Sequence, residues 1–420
     1  MMMEASSGID WFDIRGEVRF GKDKVKLEKV LEAAFANKRF VDIGEGEKGV
    51  IPKDWINKLR AYRGFFKEGK KGGVQLSKYH MPVLESLISL SSKSTLDKET
   101  KDSLSRFDNF DKIKVAKISK NVTAELRDYQ KSGYDWLNFL RDFKFNGILA
   151  DDMGLGKTLQ ALAILQKVRD EGKGKKFLVI VPTSLVFNWK KEIEKFTPNL
   201  KPYLHHGVSR AKGEKKFAKM LEDHDVIITT YGILKNDLAL LAMEVFEYVI
   251  LDEAHIIKNP LSVAARSVGA LKAKNKLAIS GTPIQNNLME LWSLFDFLSP
   301  GYLGSYDSFK ENFVWPIEKD KSEVVTASLK KMIDPFLLRR NKSNIANELP
   351  KKTEMILSSN FEEDDQAAYN YWKDFYSNEI DRSIKEKGLN KSRLKILEGL
   401  TKLRQVALHP KMVDPEYTGG

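Results

Sequence analysis

The 420-residue sequence contains no cysteine, which excludes disulfides, thiol nucleophiles and thiolate metal sites and leaves the compartment open, a reducing cytosol included. Histidine is scarce. The six residues are scattered, only His205 and His206 are adjacent, and no pair has the helical spacing of metal ligands, so a structural zinc site is not expected. No apolar run has the length of a membrane span, since the most apolar late stretch, "LALLAMEVFEYVIL", carries Glu244 and Glu247. The opening "MMMEASSGIDWFDIRGE" is acidic and has no basic segment followed by an apolar core, so it does not read as a secretory signal. Internal repeats and low-complexity tracts are absent too. The expectation from these absences is a cytoplasmic protein.

The chain is long enough for two or three domains, each with its own core. With 42% hydrophobic and 30% charged residues it has the composition of a globular protein. Lys and Arg number 70 against 58 Asp and Glu, a formal charge of +12. Charge alone leaves two readings open, a nucleic acid or other acidic partner and a soluble protein that happens to be basic.

Between residues 120 and 285 short apolar runs alternate with segments of helical length. The runs are "FNGILA", "KFLVIV", "DVIITT", "EYVILD" and "KLAIS". Strands buried on both faces and separated by helices make a parallel sheet in an α/β domain. The first 115 residues read as a small α+β domain: "WFDIRGEVRF" alternates, "KRFVDIGEGEKGVIP" is two strands around a glycine turn, and "DWINKLRAYRGFF" and "MPVLESLISL" are helical. "SSKSTLDKETKDSLS" is a polar linker or an exposed helix. After residue 285 the chain turns mainly helical, with "LMELWSLFDFL" and a long amphipathic stretch over 362–408.

Residues 148–165, "ILADDMGLGKTLQALAIL", contain most of a phosphate-binding loop, but Asp151 stands where the usual pattern has its outer glycine. The chemistry of such a loop needs converging backbone N–H donors, a cation and a hydroxyl for magnesium. Gly154 and Gly156 permit the close approach, Lys157 supplies the cation, Thr158 the hydroxyl, and the following helix presents its positive end. Further on, "YVILDEAH" puts Asp252 and Glu253 at the end of a buried strand, where an aspartate can hold magnesium and a glutamate can deprotonate an attacking water. Two acids capping the next helix is the competing structural reading. "KLAISGTPIQNN" brings Ser280 and Thr282 to another strand end, a place where open α/β sheets bind ligands, although S-G-T-P is also an ordinary turn. In "LRDYQ", Gln130 offers an amide suited to an adenine edge.

In order, "LRDYQ", "ILADDMGLGKT", "VIVPTSLVFNWKKEIEKF", "VIITTY", "ILDEAHIIKN" and "AISGTPIQNNLMELWSLFDFL" resemble the first lobe of the SWI/SNF-type ATPases, double-stranded-DNA translocases of helicase superfamily two. The resemblance covers residues 120–355. It implies a RecA-like parallel sheet flanked by helices, a P-loop NTPase fold, over 116–356, with a helical protrusion at about 287–340. Phosphate loops of this superfamily begin with an alanine, here Ala150, and lack the outer glycine. The implied cofactors are ATP and Mg2+. Gln130, Asp152, Met153, Gly154, Leu155, Gly156, Lys157 and Thr158 would bind ATP, Thr158 and Asp252 the magnesium, and Glu253 with Lys157 and Asp252 would carry catalysis. His255, Ser280, Thr282 and Gln285 would couple the nucleotide to DNA, and Ser184, Asn188, Trp189 and Thr230 would contact the DNA backbone. For Trp189 a core position is an equal alternative. "PFLLRRNKSNIANELPKKTE" resembles the family's brace between its lobes.

The amino-terminal 1–115 is similar to an accessory domain that precedes the motor in bacterial members. Its Lys53, Lys58, Arg60, Arg63, Lys67, Lys70, Lys71 and Lys78 form either a solvated face or a partner contact. The family hydrolyses ATP between two lobes, the second supplying arginines in a motif resembling D-R-x-H-R-x-G-Q, and no such stretch occurs here. Residues 357–420 are similar to the linker and the entry to that second lobe. With the repeated "MMM", this suggests a piece of a longer protein with almost no hydrolysis of its own, since such arginines contribute ~10³–10⁵ in rate. The implied partners are duplex DNA and a DNA-bound protein such as RNA polymerase or a nucleoid protein, and the implied location is the nucleoid. A non-catalytic binding scaffold and an RNA helicase are the alternatives.

Overall fold

The computed structural model describes residues 1–44, 46–69, 72–108, 113–172, 174–281, 287–345, 355, 357–358, 360–389 and 391–418. They form two compact units, Met1–Glu348 and Leu349–Gly420. The first unit contains two large sheets.

The amino-terminal sheet is built from β1 (Met2–Ser7), β2 (Trp11–Phe20), β3 (Asp23–Lys26), β6 (Phe66–Glu68), β7 (Val74–Ser77) and β8 (Lys93–Leu96). β4 (Phe40–Gly44) and β5 (Glu47–Val50) make a separate hairpin. The path β6-β7-β2-β1-β8 is antiparallel except at β1–β8, with β3 also on β2. Alternation in β2 buries Phe12 and Ile14 against helices Leu27–Phe35 and Met81–Leu90, as its pattern requires. β1 carries Met2 and Met3, and Met3 is buried in this core. The "SSKSTLDKETKDSLS" segment is neither linker nor helix throughout: "KSTL" is β8, and the helix begins at Lys98. β8 reads as polar because it is a sheet edge with three of its four residues exposed.

The larger sheet has seven strands, all paired in parallel, in the order β11-β12-β10-β13-β14-β9-β15. They are β9 (Gly147–Leu149), β10 (Phe177–Val181), β11 (Pro202–Leu204), β12 (Val226–Thr230), β13 (Val245–Leu251), β14 (Lys272–Ile279) and β15 (Leu337–Leu338). The five apolar runs of the sequence are β9, β10, β12, β13 and β14. β11 and β15 carry no readable pattern, being three and two residues long. Helices Asp128–Asp142, Lys157–Asp170, Val186–Phe196 and Leu288–Leu298 flank the sheet. Lys157–Asp170 has almost no amphipathic stripe, because from Gln160 to Val168 only Lys167 is not fully buried.

After Leu298 come helices Tyr306–Phe309, Trp315–Glu318 and Glu323–Ile333, and the chain then returns to the sheet as β15. The start of the expected brace is therefore a sheet strand. The amino-terminal domain meets the segment that follows helix Leu288–Leu298 at His80, whose ring stacks between Phe65 at 4.5 Å and Tyr302 at 4.9 Å between centroids. His80 Nε2 donates to the Tyr302 carbonyl at 2.7 Å, and Lys331 pairs with Glu85 at 2.9 Å.

The second unit has helices Glu363–Lys387 and Arg393–Leu408, packed on each other. The long amphipathic stretch over 362–408 is thus helical but divided, the first helix ending at Gly388, whose φ of 76° is left-handed.

Candidate nucleotide site

β9 delivers the chain into a loop at its carboxyl end. The turn requires left-handed backbone at Gly154 (φ 81°) and Gly156 (φ 72°), and helix Lys157–Asp170 begins at once. A Cβ on Gly156 would lie 2.3 Å from Gln130 Nε2, so this glycine also makes room for the glutamine. Gln130 Nε2 donates to the Leu155 carbonyl at 3.2 Å, and its Oε1 accepts from Arg127 N at 3.0 Å. The Lys157 ammonium donates to the carbonyls of Asp151 (2.7 Å) and Asp152 (3.1 Å). Burial lowers its pKa, while the charges of Asp151, Asp252, Glu253 and Asp152 pull the other way. Asp152 is half-buried, Leu155 buried and Met153 exposed on the loop.

β13 ends at Leu251, and Asp252 follows. Its Oδ2 accepts from the Trp189 indole at 2.7 Å and its Oδ1 from Glu253 N at 2.9 Å, while the Tyr231 hydroxyl donates to its backbone carbonyl at 2.8 Å. Burial raises the Asp252 pKa, and the Trp189 bond is the largest influence opposing that rise. Glu253 takes the left-handed conformation at φ 48° without being glycine. His255 Nδ1 lies 3.1 Å from Glu253 Oε2. Ser280 is buried beyond β14, and its N–H donates to the Leu149 carbonyl at 3.2 Å.

β13, β14 and β9 are neighbours in that order, so Asp252, Ser280 and the phosphate loop emerge from adjacent strand ends. The donor set Thr158 hydroxyl plus Asp252 carboxylate is hard oxygen, which suits magnesium. Thr282 and Gln285 lie outside the described residues.

Two of the four residues expected to meet DNA are not surface groups. Trp189 is 1% exposed and spends its N–H on Asp252, so the core alternative is the one observed. Thr230 is 4% exposed, and its Oγ1 caps the next helix by accepting from Ile233 N at 3.2 Å. Ser184 and Asn188 are exposed, Asn188 donating to Glu192 Oε1 at 2.8 Å. In the amino-terminal domain Lys53, Arg60, Arg63 and Lys67 are exposed, Lys58 and Lys78 partly so, and Lys70 and Lys71 lie outside the described residues.

Sequence reading missed three residues here. Glu192 sits one turn from Asn188; burial raises its carboxyl pKa, and the Asn188 amide and the Thr158 hydroxyl lower it. The i, i+4 spacing of Asn188 and Glu192 was the available signal. Gln160 and Arg340 enclose Asp151, the residue in the glycine's place. Asp151 is fully buried, with Arg340 Nε at 2.8 Å from its Oδ1, Arg340 Nη2 on its Oδ2, and Gln160 Nε2 at 3.4 Å.

A parallel sheet with a glycine loop, lysine and threonine after one strand, and an acid pair after the next strand but one, defines the RecA-like P-loop class. Residues 129–412, more than half of the chain, match the SNF2-related domain, and the chain belongs to that family. YwqA of Bacillus subtilis (strain 168), by name an ATP-dependent helicase/translocase, is 38% identical over 76% of this chain and 34% of its own length. The TATA-binding protein-associated factor MOT1 of Saccharomyces cerevisiae is 35% identical over 72% of this chain and 17% of its own. The Sulfolobus solfataricus SWI2/SNF2 ATPase core in complex with double-stranded DNA aligns with a TM-score of 0.52 at 38% identity, covering 72% of this chain and 62% of that one. The chain thus spans about a third of YwqA and a smaller part of MOT1. Among the described residues no helix is long and apolar enough to cross a membrane.

Proposed function

We propose that the chain is the ATP-binding lobe of an ATP-dependent translocase that moves along double-stranded DNA and displaces proteins bound to it. The observation that carries this reading is the emergence of Lys157, Asp252 and Ser280 from neighbouring strand ends. The N–H groups of the first helical turn have no intrahelical acceptor and would donate to the β- and γ-phosphates. Lys157 exchanges its two carbonyl partners for phosphate oxygens. Thr158 and Asp252 would hold Mg2+, which when bound would offset the charge of the phosphates. Glu253 takes the proton of the attacking water, with His255 beside its carboxylate.

Gln130 meets the adenine edge by exchanging its partners Arg127 N and the Leu155 carbonyl. Ser280, with Thr282 and Gln285, links the site to the DNA surface, which Ser184 and Asn188 reach from exposed positions. Support for duplex DNA comes from the Sulfolobus complex, and support for a DNA-bound protein partner from the name of MOT1. A translocase acting on DNA would work at the nucleoid in the cytoplasm.

Titration calorimetry with MgATP tests the assignment. Lys157→Ala removes a charge-assisted contact of roughly 1.5–3 kcal/mol, so its affinity falls more than about tenfold. Equal affinities for the two proteins would reject the site.

A further inference from the structure

The segment Leu337–Lys342 has no nucleotide role in the reading above, yet it touches the phosphate loop at every level. β15 pairs with β9, and the Leu338 carbonyl accepts from Ala150 N at 2.7 Å. The Arg340 carbonyl accepts from Asp152 N at 3.0 Å, and Lys342 N donates to Asp152 Oδ2 at 2.9 Å. The Arg340 guanidinium grips both oxygens of the fully buried Asp151 carboxylate and donates to Gln160 Oε1 at 2.9 Å, on the second turn of the loop's helix. It also donates to the Tyr129 carbonyl, next to Gln130, and lies 5.5 Å from the Tyr129 ring centroid.

One side chain thus joins the loop, the helix that follows it and the residue preceding Gln130. We infer that Arg340 is a positioning residue of the nucleotide site, and that Asp151 stands in place of a glycine in order to receive it. The planar fork of an arginine suits a carboxylate bidentately, and a lysine has no equivalent geometry. Glycine at 151 would leave the loop free to widen; the ion pair fixes the loop's first residue against the sheet. Because β15 ends at Leu338 and Arg340 follows two residues later, any displacement of this segment along the chain is felt at Asp151. The inference rests on the ATP reading, and its test separates the two.

The experiment measures MgATP affinity, thermal unfolding and amide exchange in the full chain and in Arg340→Lys, Arg340→Gln and the paired Asp151→Asn/Arg340→Gln variant. Removing one partner of a buried pair can unfold a protein, and the paired neutral variant restores folding without the bidentate grip. The expected result for that variant is a wild-type unfolding temperature, faster exchange confined to residues 151–157, and MgATP affinity lower by about tenfold to a hundredfold, the scale of a small misplacement. Arg340→Lys gives the same pattern, because charge without the fork does not rescue. Wild-type affinity in the paired variant would overturn the inference, as would faster exchange spread evenly over the sheet. Failure of the wild-type chain to bind MgATP would instead overturn the ATP reading.

Discussion

Trp189 shows how a single side chain can oppose the cost of burying an acid at a strand end. Asp252 is nine-tenths buried, and burial alone disfavours its charge. The indole N–H at 2.7 Å opposes that penalty. Trp189→Phe keeps the ring and removes the donor, leaving a buried carboxylate oxygen short of a partner, which costs about 1–3 kcal/mol. The sign of the pH dependence follows from the direction of the shift. The folded pKa of Asp252 lies above its unfolded value, so the folded state holds a proton that the unfolded state has already released. Its penalty grows as pH rises through that interval and is complete above it. Urea unfolding should therefore find the variant less stable than the wild type at pH 7, with the difference narrowing on the acid side of the carboxylate range. Equal stability at pH 7 would exclude the bond as a contributor. The tryptophan's burial could not be read from "NWKKEIEKF", because a helix carrying three lysines and two acids looks solvated until the sheet beneath it is known.

At the scale of elements, the helix Asp128–Asp142 packs against helix Lys157–Asp170 through a glycine. Gly133 lies mid-helix, where alanine is favoured by about 0.8–1.0 kcal/mol on propensity alone. A Cβ there would lie 1.9 Å from Gln160 Oε1 and 2.8 Å from Arg340 Nη2. Relieving that overlap means moving two hydrogen-bonded groups in a packed interior, at a cost of about 1–3 kcal/mol, so packing outweighs propensity. Gly133→Ala should lower the unfolding midpoint in urea, and a raised midpoint would show that Gln160 and Arg340 can yield. The strands with long apolar runs, the loop glycines and the acid pair were all legible, since each is a local pattern tied to a local geometry. β8, β11 and β15 were not, because edge strands of two to four residues are defined by their neighbours. Arg340 was equally hidden: nothing in "FLLRR" announces that one of its arginines closes on Asp151.

Across the first unit as a whole, His80 joins the amino-terminal domain to the segment after helix Leu288–Leu298 and makes that contact sensitive to pH. Burial pushes its pKa down to about 4, the Tyr302 carbonyl opposing the shift. The folded state therefore holds a neutral imidazole between Phe65 and Tyr302, while the unfolded chain protonates near 6.5. Stability from this residue is present above 6.5 and is lost as pH falls towards 4, amounting to about 2 kcal/mol between pH 7 and pH 5. His80→Gln retains an N–H for the Tyr302 carbonyl and has no proton to gain. Its urea midpoint should change less over that interval than the wild type's, and parallel profiles would show that other groups set the acid sensitivity.

The position of β15 beside β9 also bears on how the protein is made. Asp151 waits for Arg340, 189 residues further along the chain. At about 5–20 residues per second a ribosome needs roughly 10–40 s to supply it. Once β14 has paired with it, and until β15 arrives, β9 is an open, apolar sheet edge with an unmatched carboxylate at its end, the kind of edge that recruits other chains. The nascent lobe is most exposed to aggregation, and most in need of a chaperone, until Leu337–Arg340 leaves the ribosome.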